Sequence, residues 1–488
     1  MSNATSQSQP AFFARFLATC ALIVLALGPP ALGQFVEPDV TVLHTFVGDE
    51  VGDGFGWVSE KIGDLDGDGV EELIISAPFY FGAGVLRGRA YVYRADGTLL
   101  NVVTGADFSL LGISVNGAGD VDADGTPDYI IGGGQVLVYS GDDHSLIHDL
   151  TATTGFGHDV STAGDIDGDG HADLFVGSRF AGFSFPQAGR VTVVSGRDGT
   201  VIWTRDGAGE GHFLGSGTGL VGDVDRDGVP DLVAGAMGAG PAGGGEAYLL
   251  SGADGRIRFT LEADPDTADR FGQFFASGAG DVDADGMPDV YVGDFNDGFG
   301  GVPGTGRAYV FSGRSGRPLH DLHGLNPGDG FGDGRGAGDL DGDGHSDLII
   351  AAYTNSDGAF QAGQAYVFSG RSGALLRTIT ADVAGDDFGV DATDAGDVDG
   401  DGLTDFLITS VGLAFAGLDT GRAYLLAGTV LPCVSDLDAD GQVGPPDLIL
   451  LNQQIGAGDG PADLNGDGVV DRLDRDVLLR DFGPCPSL

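Results

Sequence analysis

Short apolar runs alternate with glycine- and aspartate-rich segments along most of the chain. In a representative stretch, these runs lie at residues 271–280, 290–292, 307–311 and 318–322. The segment 312–316, between the last two runs, has the composition of a hairpin turn. Strand-length runs separated by turn residues predict four antiparallel strands, and the pattern recurs, so we expect one four-stranded unit copied many times.

An acidic loop of the form Asp-x-Asp-x-Asp-Gly marks each unit and reveals the period. Seven such loops open at Asp64, Asp120, Asp165, Asp223, Asp281, Asp339 and Asp397. The last four intervals are 58 residues each, whereas the interval between Asp120 and Asp165 is 45. A constant period of this length is typical of propeller blades and solenoid turns. Seven four-stranded units predict an all-β seven-bladed propeller.

The two ends of the repeat region predict how the ring closes. The seventh unit has only three runs, at residues 388–396, 406–408 and 422–426. An unassigned run at residues 40–47 precedes the first unit, where a fourth strand would lie. We therefore expect this N-terminal strand to complete the seventh blade, which leaves no open sheet edge at the seam.

The acidic loops carry the chemistry that suits a calcium ion. Each has carboxylates at positions 1, 3, 5 and 9, its glycine permits a tight curl, and its seventh residue offers a backbone carbonyl. All donors are hard oxygens, which favour Ca²⁺ over metals that prefer soft ligands. One loop alone could equally be an acidic turn solvated by water, but seven copies in phase favour metal sites.

The predicted propeller ligands share these five loop positions. They are Asp64, Asp66, Asp68, Val70, Glu72, Asp120, Asp122, Asp124, Thr126, Asp128, Asp165, Asp167, Asp169, His171, Asp173, Asp223, Asp225, Asp227, Val229, Asp231, Asp281, Asp283, Asp285, Met287, Asp289, Asp339, Asp341, Asp343, His345, Asp347, Asp397, Asp399, Asp401, Leu403 and Asp405. His171 and His345 occupy position seven, and we interpret their side chains as exposed loop groups rather than ligands.

A short Phe-Gly or Leu-Gly pair precedes each of the seven loops. The Phe-Gly pairs lie at 55–56, 156–157, 271–272, 331–332 and 388–389, and the Leu-Gly pairs lie at 111–112 and 214–215. With these loops, the units resemble the FG-GAP repeats of the integrin α-chain propeller over nearly all of residues 40–428. The Gly-Ala-Pro element of that family is eroded, since only residues 76–78 keep its proline. The resemblance implies an extracellular propeller that acts in adhesion or ligand binding and carries calcium in some blades.

Residues 431–488 hold two further acidic loops, which open 27 residues apart. This pair resembles a type I dockerin, a small all-α calcium-binding module, over about residues 435–484. The resemblance implies a cohesin-like partner and the ligands Asp436, Asp438, Asp440, Gln442, Asp447, Asp463, Asn465, Asp467, Val469 and Asp474. Residues 445–446 and 472–473, which help choose the partner in that family, differ between the two halves. A tail that only stabilises the chain end is therefore the alternative.

With calcium bound in every loop of both modules, the chain would hold up to nine Ca²⁺, seven in the propeller and two in the tail.

Residues 1–33 predict a secretion signal. The apolar run at 16–27 is too short to span a bilayer easily, and small residues at 31–33 offer a cleavage site before Gln34. An amphipathic anchor is the alternative. We expect no membrane span after signal removal, a secreted or cell-surface location, a propeller over residues 34–430 and a dockerin-like domain over 431–488.

Export permits disulfides, and Cys433 and Cys485 bracket the last two acidic loops. We expect a bond between them that joins the ends of the tail without touching the propeller; two free thiols are the alternative.

The charge of the chain excludes some partners. Its 73 Asp and Glu outnumber 23 Lys and Arg, which gives a formal net charge of −50. Nucleic acids and anionic membrane surfaces are bound through Lys and Arg, so we expect neither. The 29 Phe argue against disorder, and the 90 Gly without a Gly-X-Y period fit a turn-dense all-β chain.

Alternating strand direction places all seven acidic loops, which join first to second strands, on one face of the disc. We call this the acidic face, and the opposite side, with the connections between second and third strands, the aromatic face. Its aromatic residues are Phe79, Tyr80, Phe81, Phe180, Phe183, Phe185, Phe295, Phe299, Tyr353, Phe360 and Phe415. They suit sugar stacking or protein contacts, or they pack inward. The second unit lacks this connection and should leave a notch.

We predict an extracellular protein- or glycan-binding module rather than an enzyme. The histidines outside the acidic loops are scattered, and no nucleophile elbow or zinc pattern is present in the sequence. A polysaccharide lyase or glycosidase, and a structural cell-surface matrix protein, are the alternatives.

Overall fold

The computed structural model describes residues 35–240, 242–412, 419–439, 441–458 and 460–485. Within them, seven four-stranded antiparallel sheets contact one another in sequence around a ring through their first strands. The predicted seven-bladed propeller is therefore confirmed. The predicted signal segment 1–33, the tail ligand Asp440 and the loop residue Phe415 lie outside the described residues.

Each blade runs outward from the channel in chain order. Blades 1 to 3 consist of Ser59–Lys61, Leu73–Ala77, Arg89–Tyr93 and Leu99–Thr104; Ser114–Gly119, Asp128–Gly132, Leu137–Tyr139 and Leu146–Asp149; and Asp159–Gly164, Asp173–Gly177, Arg190–Val194 and Val201–Asp206. Blades 4 to 6 consist of Leu214–Gly222, Asp231–Ala236, Glu246–Leu250 and Ile257–Leu261; Ala276–Gly280, Asp289–Asp294, Arg307–Phe311 and Pro318–His323; and Phe331–Gly338, Asp347–Ala352, Gln364–Phe368 and Leu375–Thr380. A ribbon of Phe81–Gly82 and Val85–Leu86 lies in the 2–3 connection of blade 1.

Blade 7 combines the two ends of the repeat region. Its strands are Phe388–Gly396, Asp405–Ser410, Arg422–Leu426 and, outermost, Val42–Val47. In the last pair Phe46 lies opposite Ala423 and Val47 opposite Arg422. The predicted closure strand is thus confirmed, and the ring has no free edge at its seam.

The core is divided into seven apolar clusters, each between neighbouring blades. Between blades 5 and 6, for example, Tyr291, Val310, Phe331, Ile350 and Tyr366 pack together. Second strands such as Leu73–Ala77 are buried along their whole length because both sheet faces are covered. This explains why they read as continuous apolar runs rather than alternating ones.

The Phe-Gly pairs join neighbouring blades at the inner edge. Gly56 has a φ of 90°, and a Cβ there would lie 2.6 Å from the Arg422 carbonyl oxygen, so only glycine fits. Phe55 beside it is buried, but its counterpart in blade 3, Phe156, is 37% exposed. Blade 2 has only residues 133–136 between its second and third strands, so the segment that would cover Phe156 is missing.

Three α-helices are described outside the sheets, α1 (Thr151–Thr154), α2 (Pro445–Gln454) and α3 (Arg472–Arg480), with a 3₁₀ turn at Phe299–Gly301. Helices α2 and α3 belong to the tail, where Gln442–Val443 pairs with Gly483–Pro484. Val443, Leu451, Leu464, Val470 and Leu478 form the buried core of this small unit.

The disulfide expected in the tail is present, and the tail packs against the propeller. Cys433 and Cys485 are bonded, with Cα atoms 5.8 Å apart. Ala374, in the last hairpin of blade 6, is part of the buried core of the tail, and the Leu375 amide donates to the Leu464 carbonyl at 2.9 Å. The bond therefore joins the ends of the tail as expected, but the tail that it closes packs against blade 6, because so small a core gains apolar cover there.

Arg480 is the polar link between α3 and the propeller. It donates to the Ser372 carbonyl at 3.2 Å and contacts Nδ1 of His320 at 3.4 Å. Burial is the main cause that lowers the pKa of His320 to about 4. The ring is therefore neutral at pH 7, and the always-charged guanidinium donates to Nδ1.

We expect Arg480→Ala to loosen the tail from blade 6, because it removes both hydrogen bonds of this link. Limited proteolysis should cleave the variant faster between the propeller and α2, while the propeller melts as before. Arg472→Ala is the matched control, since that side chain is 80% exposed on the same helix. Equal cleavage of the two variants would mean that Arg480 does not hold the tail.

Candidate calcium sites and recognition face

Each acidic loop is wound around its own carboxylates. In blade 3, Oδ1 of Asp165 accepts from the amides of Gly168 at 2.8 Å and Asp169 at 3.0 Å, and its Oδ2 accepts from Gly170 at 3.0 Å. Oδ1 of Asp169 accepts from the His171 amide at 3.1 Å. Equivalent bonds recur in the other loops, for instance from Gly69 to Asp64 at 2.9 Å and from Gly286 to Asp281 at 2.9 Å. The aspartates thus fold the loop that brings them together.

The carboxylates of these loops converge as a cation site requires. In the first four loops, one oxygen each from positions 1, 3 and 9 lie within 4.8 Å of one another; in the fifth, the positions are 1, 3 and 5. Three further groups of at least three His, Cys, Asp or Glu side chains converge in the same way in the described residues. An all-oxygen donor set at this spacing fits a hard divalent cation, so the residues present fit the predicted group.

Arginines from neighbouring strands and turns contact the carboxylates of several loops. Arg94 pairs with Asp66 and Arg258 with Asp225, while Arg314 Nη1 lies 3.4 Å from Asp285 Oδ2. Arg258 Nε also lies 4.0 Å from Oδ2 of Asp231, the position-9 acid of the same loop. These arginines offset part of the local negative charge.

The position-9 acid is the buried anchor of each loop. Six aspartates, Asp128, Asp173, Asp231, Asp289, Asp347 and Asp405, each accept with Oδ1 from a glycine amide of the 3–4 hairpin, Gly141, Gly196, Gly252, Gly313, Gly370 and Gly428, at 2.7–3.1 Å. Sequence reasoning missed these donors, although a Ser-Gly pair opens five of the six hairpins. In blade 1 the acid is Glu72, the hairpin has Ala95 at that place, and Glu72 accepts from the Leu65 amide at 2.6 Å.

Burial raises the pKa of these anchors. It is the main cause for Asp128, Asp173 and Asp231, at about 6, and for Glu72 and Asp289, at about 7. For Asp347, burial and then the neighbouring Asp341 raise the pKa to about 8. A bound cation would oppose both causes, because it favours the charged carboxylate.

The metal-free protein should lose stability as the pH rises. A raised folded pKa means that the folded chain holds protons which the unfolded chain, with a carboxyl pKa of about 4, has released. We therefore expect a lower melting temperature in EDTA at pH 8 than at pH 5, whereas calcium, which binds the ionised form, should raise melting most at pH 8.

Asp347→Asn should flatten this pH dependence, because it removes the anchor whose pKa is raised to about 8. The exposed Asp266, outside the loops, gives the matched control Asp266→Asn. Thermal melts of the three proteins from pH 5 to 8 would check both expectations. A melting temperature in EDTA that rises with pH would contradict them.

His171 and His345 connect neighbouring loops. Nδ1 of His171 bonds the Val121 carbonyl of the blade 2 loop at 2.8 Å, and Nδ1 of His345 bonds the Val282 carbonyl of the blade 5 loop at 2.7 Å. Both rings are half-buried. The expectation of exposed side chains is wrong for both, because each position-seven ring lies against the adjacent blade.

The tail loops are wound in the same way around their position-12 acids. Asp447 accepts from the amides of Asp438 at 3.1 Å and Gly444 at 2.7 Å. Asp474 accepts from Leu464 at 2.7 Å and Asp471 at 2.6 Å. These bonds place both acids at the start of α2 and α3, facing their loops.

The aromatic residues on the opposite face divide between buried and exposed. Tyr80 and Phe295 are buried; Phe79, Phe299 and Tyr353 are half-buried; and Phe81, Phe180, Phe183, Phe185 and Phe360 are exposed. Three stack on arginines that begin third strands, with the guanidinium carbon 3.5 Å (Arg89 on Tyr80), 3.7 Å (Arg190 on Phe183) and 5.0 Å (Arg307 on Phe299) from the ring centroid. Phe183 nevertheless stays 72% exposed, so this face presents aromatic surface held by cation–π contacts.

Four segments of the chain match the FG-GAP repeat. They are residues 57–93, 156–194, 217–250 and 331–368, which lie in blades 1, 3, 4 and 6. Integrin alpha-6 of Homo sapiens is 35% identical over 109 residues, integrin alpha-PS5 of Drosophila melanogaster 30% over 145, and integrin alpha-V of Gallus gallus 35% over 88. The matches cover 20%, 27% and 16% of this chain but only 10%, 14% and 8% of those relatives. The similarity therefore concerns repeats of the propeller and not whole integrin chains.

No helix in the described parts of the chain combines the length and apolar character needed to cross a bilayer.

Proposed function

We propose that the chain is a secreted, calcium-binding propeller that binds an extracellular protein or glycan, and that residues 431–488 form a dockerin-like attachment module. The observation that carries the proposal is the separation of chemistry between the two faces. Converging carboxylates occupy the acidic face, and exposed rings such as Phe81, Phe183 and Phe360 occupy the other. Metal on one face then stabilises the disc while the other remains free for a ligand.

Calcium in all seven propeller loops and both tail loops is the metal content we propose. The converging oxygens in separate blades support it, as does the burial of a position-9 carboxylate in each propeller loop, such as Glu72 and Asp347. The role of these ions is structural, because each would hold one first-to-second-strand loop closed.

A role in adhesion or ligand binding outside the cell is supported by the similarity to integrin alpha chains. The disulfide in the tail supports an oxidising compartment, and the predicted signal at residues 1–33 supports export. The proposal assigns no catalytic step to the chain.

The tail supports two roles. Exposed Ile449, Leu473 and Leu479 on α2 and α3 offer an apolar surface, which favours docking of a cohesin-like partner. The packing of Ala374 and Leu375 against the tail core favours the second role, a module that stabilises the C-terminal end of the propeller.

A binding screen tests the proposed function. The full-length chain, with calcium or with EDTA, is applied to arrays of extracellular matrix proteins and glycans, and its activity on polysaccharides is measured in parallel. We expect calcium-dependent binding that Phe81→Ala weakens. Leu99→Ala, which truncates an exposed apolar residue near the acidic face, should bind normally. Polysaccharide cleavage, or no binding on any array, would refute the proposal.

A further inference from the structure

The central channel holds a cavity of about 420 Å³. Its lining comes from the first strands and from connections on the aromatic face, including Trp57, Phe274, Phe295 and Tyr353. The cavity therefore lies at the end of the channel away from the acidic loops. Its volume is within the range of about 300–1,000 Å³ that small-molecule sites occupy.

An ionic network forms the floor of this cavity. Arg335 of blade 6 contacts Glu60 of blade 1 and Asp391 of blade 7. Asp391 also accepts from the Ser59 amide at 2.8 Å. Nearer the acidic face, Lys61 pairs with Asp394. Because these charged groups pair with one another, the floor closes the channel, and the groups that recognise a ligand belong to the walls.

Aromatic rings form part of the walls. The Phe295 and Tyr353 rings meet edge to face with centroids 6.2 Å apart, and those of Trp57 and Phe274 at 6.4 Å. Flat apolar surfaces on more than one side favour a ligand with planar C–H faces.

Four polar groups in the walls have no hydrogen-bond partner among the described residues. They are Oδ1 of Asp333, Oγ of Ser277, Oγ1 of Thr218 and Nδ2 of Asn296, and all four atoms are buried. Buried polar groups are nearly always bonded, so these four indicate a ligand. They comprise a carboxyl oxygen, two hydroxyls that can each donate or accept, and an amide donor.

This mixture selects the class of ligand. An ammonium or guanidinium cation offers only donors and would leave the Asn296 amide without a partner. Acidic residues outnumber arginines by six to two in the lining, which opposes an anion. Burial raises the pKa of Asp333 well above its usual range, so its neutral carboxyl can donate as well as accept. Alcohol groups both donate and accept, so they match all four atoms.

We propose that this channel cavity binds one or two rings of a neutral sugar, with the rings held between the aromatic walls. The inference rests on the proposed ligand-binding function and assigns a saccharide site at the centre of the aromatic face, apart from exposed rings such as Phe81. Cavity size favours the end of a glycan or a free saccharide over an internal stretch of a long polysaccharide.

Tryptophan fluorescence gives a direct test, because the chain has two tryptophans and Trp57 lines the cavity. Trp203 lies in the outer strand of blade 3 and bonds the Gly252 carbonyl at 2.6 Å, so a Trp203→Phe background leaves only the cavity reporter. The calcium-loaded full chain is titrated with glucose, galactose, mannose, fucose and N-acetylglucosamine. Glucosamine and glucuronate serve as cationic and anionic probes. We expect a saturable change with at least one neutral sugar.

Ser277→Ala should weaken that binding about tenfold, the ratio that corresponds to a lost hydrogen bond of ordinary strength. It should leave melting unchanged because the hydroxyl has no partner in the fold. Ser161→Ala is the matched control: Ser161 is on the first strand of blade 3, and its buried Oγ also has no partner among the described residues, but it does not line the cavity. Asp333→Asn provides a second cavity variant.

The outcomes separate this inference from the proposed function. No response to any neutral sugar, a response only to glucosamine or glucuronate, or equal binding by Ser277→Ala and Ser161→Ala would overturn the channel site. If no neutral sugar gives a response but a matrix protein on the arrays is bound, the sugar inference is overturned and the proposed function still holds. Failure on every array would instead remove the proposed function.

Discussion

Removing calcium with excess EDTA should lower the melting temperature of the chain by tens of degrees. Without metal, carboxylate oxygens within 4.8 Å of one another repel in several blades. Saturation of a single site at a hundred times its Kd stabilises the fold by about 2.7 kcal/mol. The ring closes as one unit, so the contributions of many loops act on the same unfolding transition.

Thermal melts by circular dichroism in calcium, in EDTA, and in EDTA followed by excess calcium would measure this effect. Asp225→Asn should lower melting more in calcium than in EDTA, because Asp225 belongs to the converging cluster of blade 4 and its removal weakens the metal site in addition to its ion pair with Arg258. Asp266→Asn removes the same charge at an exposed position outside the loops and should behave like the unaltered chain. Identical melting curves with and without EDTA would refute structural calcium.

Deletion of residues 35–47 should prevent the propeller from closing. The deletion removes Val42–Val47, the outer strand of blade 7, and exposes the edge of Arg422–Leu426 that it covers. It also removes Phe35, whose ring lies 5.3 Å from Phe388 and 5.6 Å from Tyr424. We expect aggregation or failed secretion, because an exposed edge strand pairs readily with another chain.

A point substitution on the same strand separates the loss of side-chain packing from the exposure of the strand edge. Phe46 is 3% exposed, and its ring centroid lies 4.9 Å from that of Tyr93 in blade 1, so Phe46→Ala should cost about 3–5 kcal/mol in the free energy of unfolding. Val47→Thr, half-exposed on the same strand, should cost little. Size-exclusion chromatography and thermal melts would measure both effects. A deletion variant that runs as a monomer with unchanged melting would contradict the closure role.

Repetition explains why the blade architecture can be predicted from the sequence. The apolar runs at 307–311 and 422–426 coincide with strands of the structure, because the two middle strands of a blade are buried on both faces. The closure strand follows from counting runs at the two ends. The acidic loops of the propeller are mostly local, and the hydrogen bonds within one loop join residues at most seven positions apart, as between Gly69 and Asp64 or Ile166 and Asp173.

Contacts between blades and with the tail were decided only by the tertiary structure. The His171 ring bonds the Val121 carbonyl, 50 residues away in sequence, and Arg480 donates to the Ser372 carbonyl, 108 residues away. No local sequence pattern predicts which carbonyl a histidine ring or an arginine guanidinium will contact, because that depends on the angle between packed sheets. Phe156 has the same sequence signal as Phe55 but is exposed, since its cover would come from a connection that the preceding blade lacks. The sequence alone thus determined the repeating unit, its number, its closure and its acidic loops, whose causes are periodic and local. The channel cavity and the docked tail arise where separate units meet, and only the assembled ring brings those residues together. The buried anchors of the loops depend on folding within a blade, because each aspartate anchor bonds a hairpin glycine 13 to 24 residues away.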